Sequence, residues 1–442
     1  MRSLIVLTCC FFILTDIIEG QTPARLAYLG GWGKFPGSGM IIDSVAVNGS
    51  LQAAGLAIND TLISIGEIKT NAAADLVKAI SQKREGDPLS IRFKRKNKVI
   101  NKTVKALPKP FFTDDRMLVK YDWAAFGDGY LRTITYLPKN RTGKIPFILL
   151  VPGYNCGSIE NYMRSYNGKI IRQWINAGYG VFTIEKSGIG DSYHCQPCEE
   201  VDLANDIDVF TLGYQKMKAL NEADTGKLVI WGHSMGGVIA PVVANKVRPA
   251  GVIVFATVFR PWSEFLLEMH RVQAPLEGKS YEETELFVRK MQKIYYEFYV
   301  LKKTPEQLHN NPEYAATVES ELDYKPGGTN QWGRHWRFWQ QTDSLDLAYE
   351  WSQVNCPVLS IFGGADFIQC SALEHLLITQ TVNKSHPDMA THITIPDIDH
   401  IMVTNKDWNS AFVNLKNPDY ISKNYNPKIG EVTVDWLDKH IH

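Results

Sequence analysis

Beyond its first twenty residues the chain has no apolar run long enough to cross a bilayer, which takes roughly 20 residues, so no membrane span is expected and the mature chain should be soluble. It has no charge of one dominant sign. The 47 basic and 47 acidic side chains cancel, neither sign forms a long run, and a nucleic-acid partner is therefore not expected. The densest basic stretch, residues 92–105, alternates with apolar residues and reads as the solvated face of a hairpin rather than a polyanion site. Phosphate loops, metal-ligand clusters and cofactor motifs are missing, so no cofactor and no metal are expected, and activity should survive chelators. Cysteine is scarce, with 7 in 442 residues.

The first twenty residues carry Arg2, an apolar run over 4–14, then Asp16, Glu19 and Gly20. That layout predicts a secretory signal peptide over residues 1–20 and a secreted or periplasmic protein. Cys9 and Cys10 lie inside the apolar run, with too little hydrophobic sequence ahead of them for a lipidated cysteine. Five cysteines then remain, Cys156, Cys195, Cys198, Cys356 and Cys370, and an odd count leaves at least one thiol unpaired within the chain. Cys195 and Cys198 form a C-x-x-C, but only His194 is nearby, short of a zinc set. A Cys156 to Cys198 bridge is favoured. Sequons at Asn48, Asn59, Asn101, Asn140 and Asn383 matter only in a host that glycosylates.

Residues 24–107 read as a small α+β unit. Strands are expected at 40–45 and 61–65, a helix at 73–81, and a closing hairpin from 89–93 with 99–104. The stretches Tyr28-Leu29-Gly30-Gly31, Val45-Ala46-Val47-Asn48-Gly49-Ser50-Leu51-Gln52-Ala53-Ala54-Gly55-Leu56 and Asn59-Asp60-Thr61-Leu62-Ile63-Ser64-Ile65-Gly66 resemble a PDZ domain of the type attached to secreted bacterial proteases. The resemblance implies that a peptide end docks as an added strand, its carboxylate held by backbone N–H groups of Tyr28, Leu29, Gly30 and Gly31. The other reading is a unit that packs on or gates an enzyme without binding peptide.

Pro108-Lys109-Pro110 ends this unit. From residue 111 onward, apolar runs at 147–151, 180–184, 227–231, 252–256 and 358–362 alternate with helical sequence, the pattern of a mostly parallel sheet covered on both faces. Between about 262 and 350 the rhythm gives way to aromatic-rich helical sequence, including Tyr295-Tyr296-Glu297-Phe298-Tyr299 and Trp336-Arg337-Phe338-Trp339. This is expected to be a helical cap. Its aromatics could line an apolar acyl or aryl pocket or pack as core.

Gly232-His233-Ser234-Met235-Gly236 fits G-x-S-x-G, with an apolar strand before it and a helix at 238–247 after it, the setting of a nucleophile elbow. A serine hydroxyl needs a general base, and the base needs an acid to hold its tautomer. Asp366 follows the late strand 358–362 through Gly363-Gly364-Ala365, and His400 follows in a later loop. Asp397 and Asp399 are rival acids, but they lie beside His400 and close no strand. Two N–H donors are needed for the oxyanion. Met235 should give one and Tyr154 the other, from Val151-Pro152-Gly153-Tyr154-Asn155, with the Asn155 side chain as the alternative. His233 reads as support for the elbow and His335 as a cap residue; Glu185-Lys186-Ser187-Gly188-Ile189-Gly190-Asp191-Ser192 reads as a structural turn.

With Ser234, Asp366 and His400 in that chain order, residues 111–442 resemble the α/β-hydrolases, in particular secreted bacterial hydrolases with a PDZ-like domain ahead that are described as esterase-like or aminopeptidase-like. The expected fold class is thus an α/β-hydrolase fold, with a mostly parallel sheet and a helical cap insertion, preceded by the PDZ-like unit. The expected activity is ester hydrolysis through an acyl-serine on a small ester or peptide-like substrate. A peptidase or amidase on the same triad, and a catalytically dead scaffold that binds peptides, remain as alternatives.

Overall fold

A computed structural model of the protein describes residues 23–441. The signal peptide assigned to residues 1–20 lies outside the described residues. The chain divides into two compact units between Pro110 and Phe111.

The first unit runs β1 (Gly31–Lys34), β2 (Met40–Val45), α1 (Ser50–Ala53), β3 (Thr61–Ile65), β4 (Ile68–Lys69), α2 (Ala73–Ile80), β5 (Pro88–Arg95) and β6 (Lys98–Lys105). Its sheet is antiparallel in the order β1-β2-β3-β5-β6, with β4 paired to β3. Leu89, Ile91 and Phe93 of β5 point into the core while Ser90, Arg92 and Lys94 face solvent, so the basic run is the wet side of a hairpin. β1 is an edge strand.

The second unit continues with β7 (Met117–Phe126), β8 (Gly129–Pro138), β9 (Ile145–Val151), α3 (Tyr166–Asn176), β10 (Gly180–Ile184), α4 (Leu203–Lys218), β11 (Ala223–His233), α5 (Met235–Val247) and β12 (Gly251–Phe255). The cap follows as α6 (Trp262–Leu276), α7 (Tyr281–Tyr295), a π-helical turn (Tyr296–Val300), α8 (Pro305–His309), α9 (Ala315–Glu321), the two-residue strands β13 (Asn330–Gln331) and β14 (Arg334–His335), α10 (Trp336–Ser344) and α11 (Leu347–Ser352). The sheet resumes with β15 (Val358–Gly363), α12 (Ala372–Ser385) and β16 (Ala390–Ile395), and the chain closes with α13 (Trp408–Asn414), α14 (Pro418–Lys423) and α15 (Lys428–His440).

The eight-stranded sheet has the order β16-β15-β12-β11-β9-β10-β8-β7. The six strands from β16 to β10 are mutually parallel, and the β7–β8 hairpin is added antiparallel to β10. Strand β9 shows why the parallel strands are continuously apolar. Phe147, Leu149 and Val151 face a core shared with α4 and α5, whereas Ile148 and Leu150 face a core built on α3 and α15. The hairpin was not assigned from sequence, and its charges explain the omission: β8 is buried almost throughout yet carries Arg132. That guanidinium is stacked 3.6 Å from the Trp123 ring centroid and ion-paired with Asp191 at 3.0 Å. β16 also escaped, because its burial is intermittent.

Several boundaries differ from the sequence reading, and two of them lie beside the serine. Strand β12 ends at Phe255, because Ala256 turns into the left-handed region at φ 55°. Helix α5 begins at Met235, three residues earlier than expected, directly on the serine.

Candidate active site

Because β9, β11, β12, β15 and β16 are parallel neighbours, the loops leaving their carboxyl ends fall side by side. Those loops carry Tyr154, Ser234, Asp366 and His400. At the end of β11, Ser234 has φ 55° and ψ −124°, and its N–H donates to the Phe255 carbonyl at 3.0 Å. Such a turn works only if the crossing backbones carry no Cβ. A Cβ at Gly232 would lie 2.5 Å from the Gly236 oxygen, and one at Gly236 would lie 2.1 Å from the Val151 oxygen. The G-x-S-x-G spacing is therefore set by two close backbone crossings.

His400 Nε2 lies 3.1 Å from Ser234 Oγ, and His400 Nδ1 lies 2.9 Å from Asp366 Oδ2. Asp366 is fully buried, and its Oδ1 accepts from the N–H groups of Ile368 and Gln369, both at 2.9 Å. The carboxylate thus stands fixed with one oxygen left for the imidazole. Burial works against a charged His400, but the Asp366 carboxylate beside it, with Asp399 adding, holds its pKa above the ordinary histidine value.

Asp399 has another place. Its Oδ1 accepts from Ile401 and Val403 N–H, and its Oδ2 from Asn405 Nδ2 at 2.9 Å, so it shapes the histidine loop. Burial pushes its carboxyl up to about 6. The Asp397 carbonyl accepts from the Asn405 N–H. His233 Nε2 donates to the His400 carbonyl at 2.8 Å, and burial draws its pKa down to about 3, so it stays neutral and anchors the loop. His335 sits in β14, where its Nδ1 accepts from Arg337 N–H.

Met235 is the first residue of α5 and Tyr154 lies in the loop after β9; neither backbone N–H has a protein acceptor among the described residues. Gly153 is close by, since a Cβ built there would be 3.7 Å from Ser234 Oγ. Asn155 Oδ1 accepts from the Gly157 N–H at 3.2 Å. Sequence reading missed what lies behind this loop: Lys186, Asp206 and Arg334 form a buried charged cluster against its carbonyls. The only hint was a lysine in a turn taken as structural.

Ser234, Met235 and His400 open into a cavity of about 440 Å³ under the cap, within the size of small-molecule sites. Tyr154, Trp262, Phe265, Trp332 and Trp339 wall it, with Trp262 and Trp339 stacked at 5.3 Å. The cap aromatics are therefore divided. Trp339 belongs to the cavity wall as well as the core, whereas Tyr295, Phe298 and Tyr299 are core.

Cys156, two residues beyond Tyr154, is disulfide-bonded to Cys198, leaving Cys195, Cys356 and Cys370 as thiols. The bridge spans 42 residues, and opening it is expected to destabilise this unit by about 4 kcal/mol on loop-entropy grounds. Urea midpoints of Cys198→Ser and of native protein, each with and without reductant, test this. Reductant should shift only the native protein.

In the first unit, the Tyr28, Leu29 and Gly30 carbonyls accept from Ser50, Leu51 and Ala46 N–H. With those carbonyls turned inward, the Leu29 and Gly30 N–H groups have no acceptor among the described residues, whereas the Tyr28 N–H, expected to be a carboxylate donor, is taken by the Leu107 carbonyl at 2.8 Å. Gly30 sits at φ 69°. Gly31 opens the edge strand β1.

Among known families, residues 148–405, more than half of the chain, match the one described as Serine aminopeptidase, S33, and residues 20–106 match the PDZ domain. Among solved structures the chain is similar to Est1E from Butyrivibrio proteoclasticus, at 11% identity over 73% of this chain and 98% of that one, with TM-score 0.45. It is also similar to the α/β hydrolase GrgF from Penicillium sp. sh18, at 15% identity over 73% and 99%, with TM-score 0.44. An esterase from Pyrococcus furiosus is similar at 11% identity over 74% and 92%, with TM-score 0.45. No curated protein matches.

Proposed function

The chain belongs to the serine aminopeptidase family of α/β-hydrolases, with a PDZ domain ahead of the hydrolase, and from that premise we propose that it is an exported serine hydrolase that cleaves carboxylic esters. The observation that carries the reading is the hydrogen-bonded line from Ser234 Oγ through His400 to Asp366 at the floor of a cavity with aromatic walls and polar residues such as Gln273, Glu277 and Lys279 in its lining. In this reading His400 Nε2 takes the Ser234 proton as Oγ attacks the ester carbonyl. The N–H groups of Met235 and Tyr154 hold the oxyanion. His400 then protonates the leaving alkoxide, giving acyl-Ser234, and activates water to release the acid. The aromatic walls suit an apolar or aryl acyl group.

Fluorophosphonate labelling of native protein and Ser234→Ala, with p-nitrophenyl esters and aminoacyl anilides as substrates, tests it. Labelling confined to the native protein with ester preference supports the proposal, and anilide preference would move the activity to peptidase. A folded native protein that neither labels nor turns over any ester or amide would overturn both. Export rests on the leader at residues 1–20.

The pH profile follows from His400. The base acts only when neutral, and a raised pKa keeps it protonated to higher pH, so kcat/KM should fall with acid through an apparent pKa above 6.5. A midpoint below 6.5 in the pH dependence of kcat/KM would contradict this.

A peptide role for the first unit is favoured by the inward carbonyls of Tyr28, Leu29 and Gly30 beside an edge strand. Peptides with a free carboxylate should bind the full-length protein, and their C-terminal amides should not. Fluorescence anisotropy distinguishes the two; equal binding of both would sink the carboxylate-loop assignment.

A further inference from the structure

Three consecutive carbonyls of the loop after β9 point into a buried ionic cluster. Lys186 Nζ donates to the Gly153 oxygen at 2.7 Å and to the Asn155 oxygen at 3.2 Å. Arg334, brought by β14 of the cap, donates Nη1 to the Tyr154 oxygen at 2.9 Å. Asp206 of α4 holds both cations: its two oxygens take Arg334 at 2.9 and 3.0 Å, and Oδ2 lies 3.4 Å from Lys186 Nζ. Arg334 and Asp206 are fully buried, and Lys186 nearly so. Two cations against one anion leave a buried net positive charge.

A trans peptide is planar, with its oxygen and N–H on opposite sides. The Gly153 oxygen and the Tyr154 N–H belong to one peptide, as do the Tyr154 oxygen and the Asn155 N–H. A cation that draws the oxygen into the cluster therefore turns the N–H the other way. It also polarises that N–H into a stronger donor, because hydrogen bonds on the two ends of one amide reinforce each other. We infer that Lys186 is a positioning residue that aims and polarises the oxyanion-binding Tyr154 N–H, and that Arg334, which shares Asp206 with it, fixes the next peptide of the loop and so holds that N–H in place, so that seating of the cap through Arg334 is part of catalytic competence. The inference rests on the acyl-transfer reading above, in which Tyr154 is an oxyanion donor.

Charge on the substrate oxygen appears only in the tetrahedral state, so loss of the clamp should reduce kcat and spare KM. Lys186→Met is expected to lower kcat about 10²-fold, the effect of weakening one oxyanion donor. Its KM should stay near native. Affinity for a trifluoromethyl ketone, which closes on serine as an oxyanion, should fall by a similar factor, while binding of the matching non-electrophilic secondary alcohol is unchanged. Arg334→Lys keeps the charge and loses the two-pronged grip on Asp206, so a smaller fall in kcat is expected, again with KM unchanged. Far-ultraviolet dichroism and thermal melts of both variants establish that they are folded. If Lys186→Met is unfolded, Arg334→Lys carries the test alone. A folded variant with native kcat and native ketone affinity overturns the inference, as does a loss of ketone and alcohol binding in parallel, which marks a merely structural role. Failure of the acyl-transfer reading is separately visible, since Ser234→Ala would then retain activity.

Discussion

Asp366→Asn should lower kcat by about 10⁴ in a protein that still folds, the scale found when a triad carboxylate becomes an amide. The reason is local. Oδ1 of Asp366 receives the Ile368 and Gln369 N–H groups, so an asparagine must leave its carbonyl oxygen there and turn its NH₂ toward His400 Nδ1. Nδ1 would then have to accept, which puts the imidazole proton on Nε2, facing Ser234, and the base is lost. Asp399→Asn should behave differently, because that carboxylate serves Ile401, Val403 and Asn405. It should lower the urea midpoint and leave kcat within an order of magnitude of native. If the two variants exchanged these effects in steady-state assays, the acid would be Asp399.

Gly236→Ala should be among the most damaging single-methyl changes in the chain. Its Cβ would meet the Val151 oxygen at 2.1 Å, the Val151 carbonyl carbon at 2.7 Å and the Pro152 oxygen at 2.8 Å. All three are backbone atoms of β9 and its exit, so no side chain can swing aside, and either α5 or the loop bearing Tyr154 must shift. A loss of at least about 3 kcal/mol is expected, with activity falling further than stability because Ser234 and Tyr154 move apart. Gly226→Ala is the control: a Cβ there meets only Asp224 Oδ1 at 3.5 Å, and it should cost within about 0.5 kcal/mol. Urea denaturation of the two variants provides the comparison, and equal midpoints would mean that the elbow relaxes more easily than its geometry implies.

Local pattern reached far in this chain wherever one residue's environment is dictated by its neighbours in sequence. The elbow could be read because Gly232, Ser234 and Gly236 meet within one turn, and Asp366 because it leaves a continuous apolar strand. The β7–β8 hairpin could not, because Arg132 inside β8 is neutralised by Asp191, 59 residues away. The Lys186, Asp206 and Arg334 cluster was hidden for the same reason: Arg334 and Asp206 are 128 residues apart, and each looks like a surface charge until the fold brings them together. Among the aromatics, helical spacing alone could not separate Tyr299, in the core, from Trp262, on the cavity wall, since both faces of a cap helix can be apolar.

Arg334 gives the cap a second identity besides that of a lid over the cavity. As a lid alone, it could be exchanged like a cassette to alter substrate choice. Here a transplant spanning residues 262–352 would bring a new roof but remove the guanidinium that grips both oxygens of Asp206, leaving that buried carboxylate to Lys186 alone and the Tyr154 carbonyl without its donor. A chimera that carries an arginine equivalent to Arg334 should remain active on its new substrates, and one that lacks it should bind them and turn over slowly.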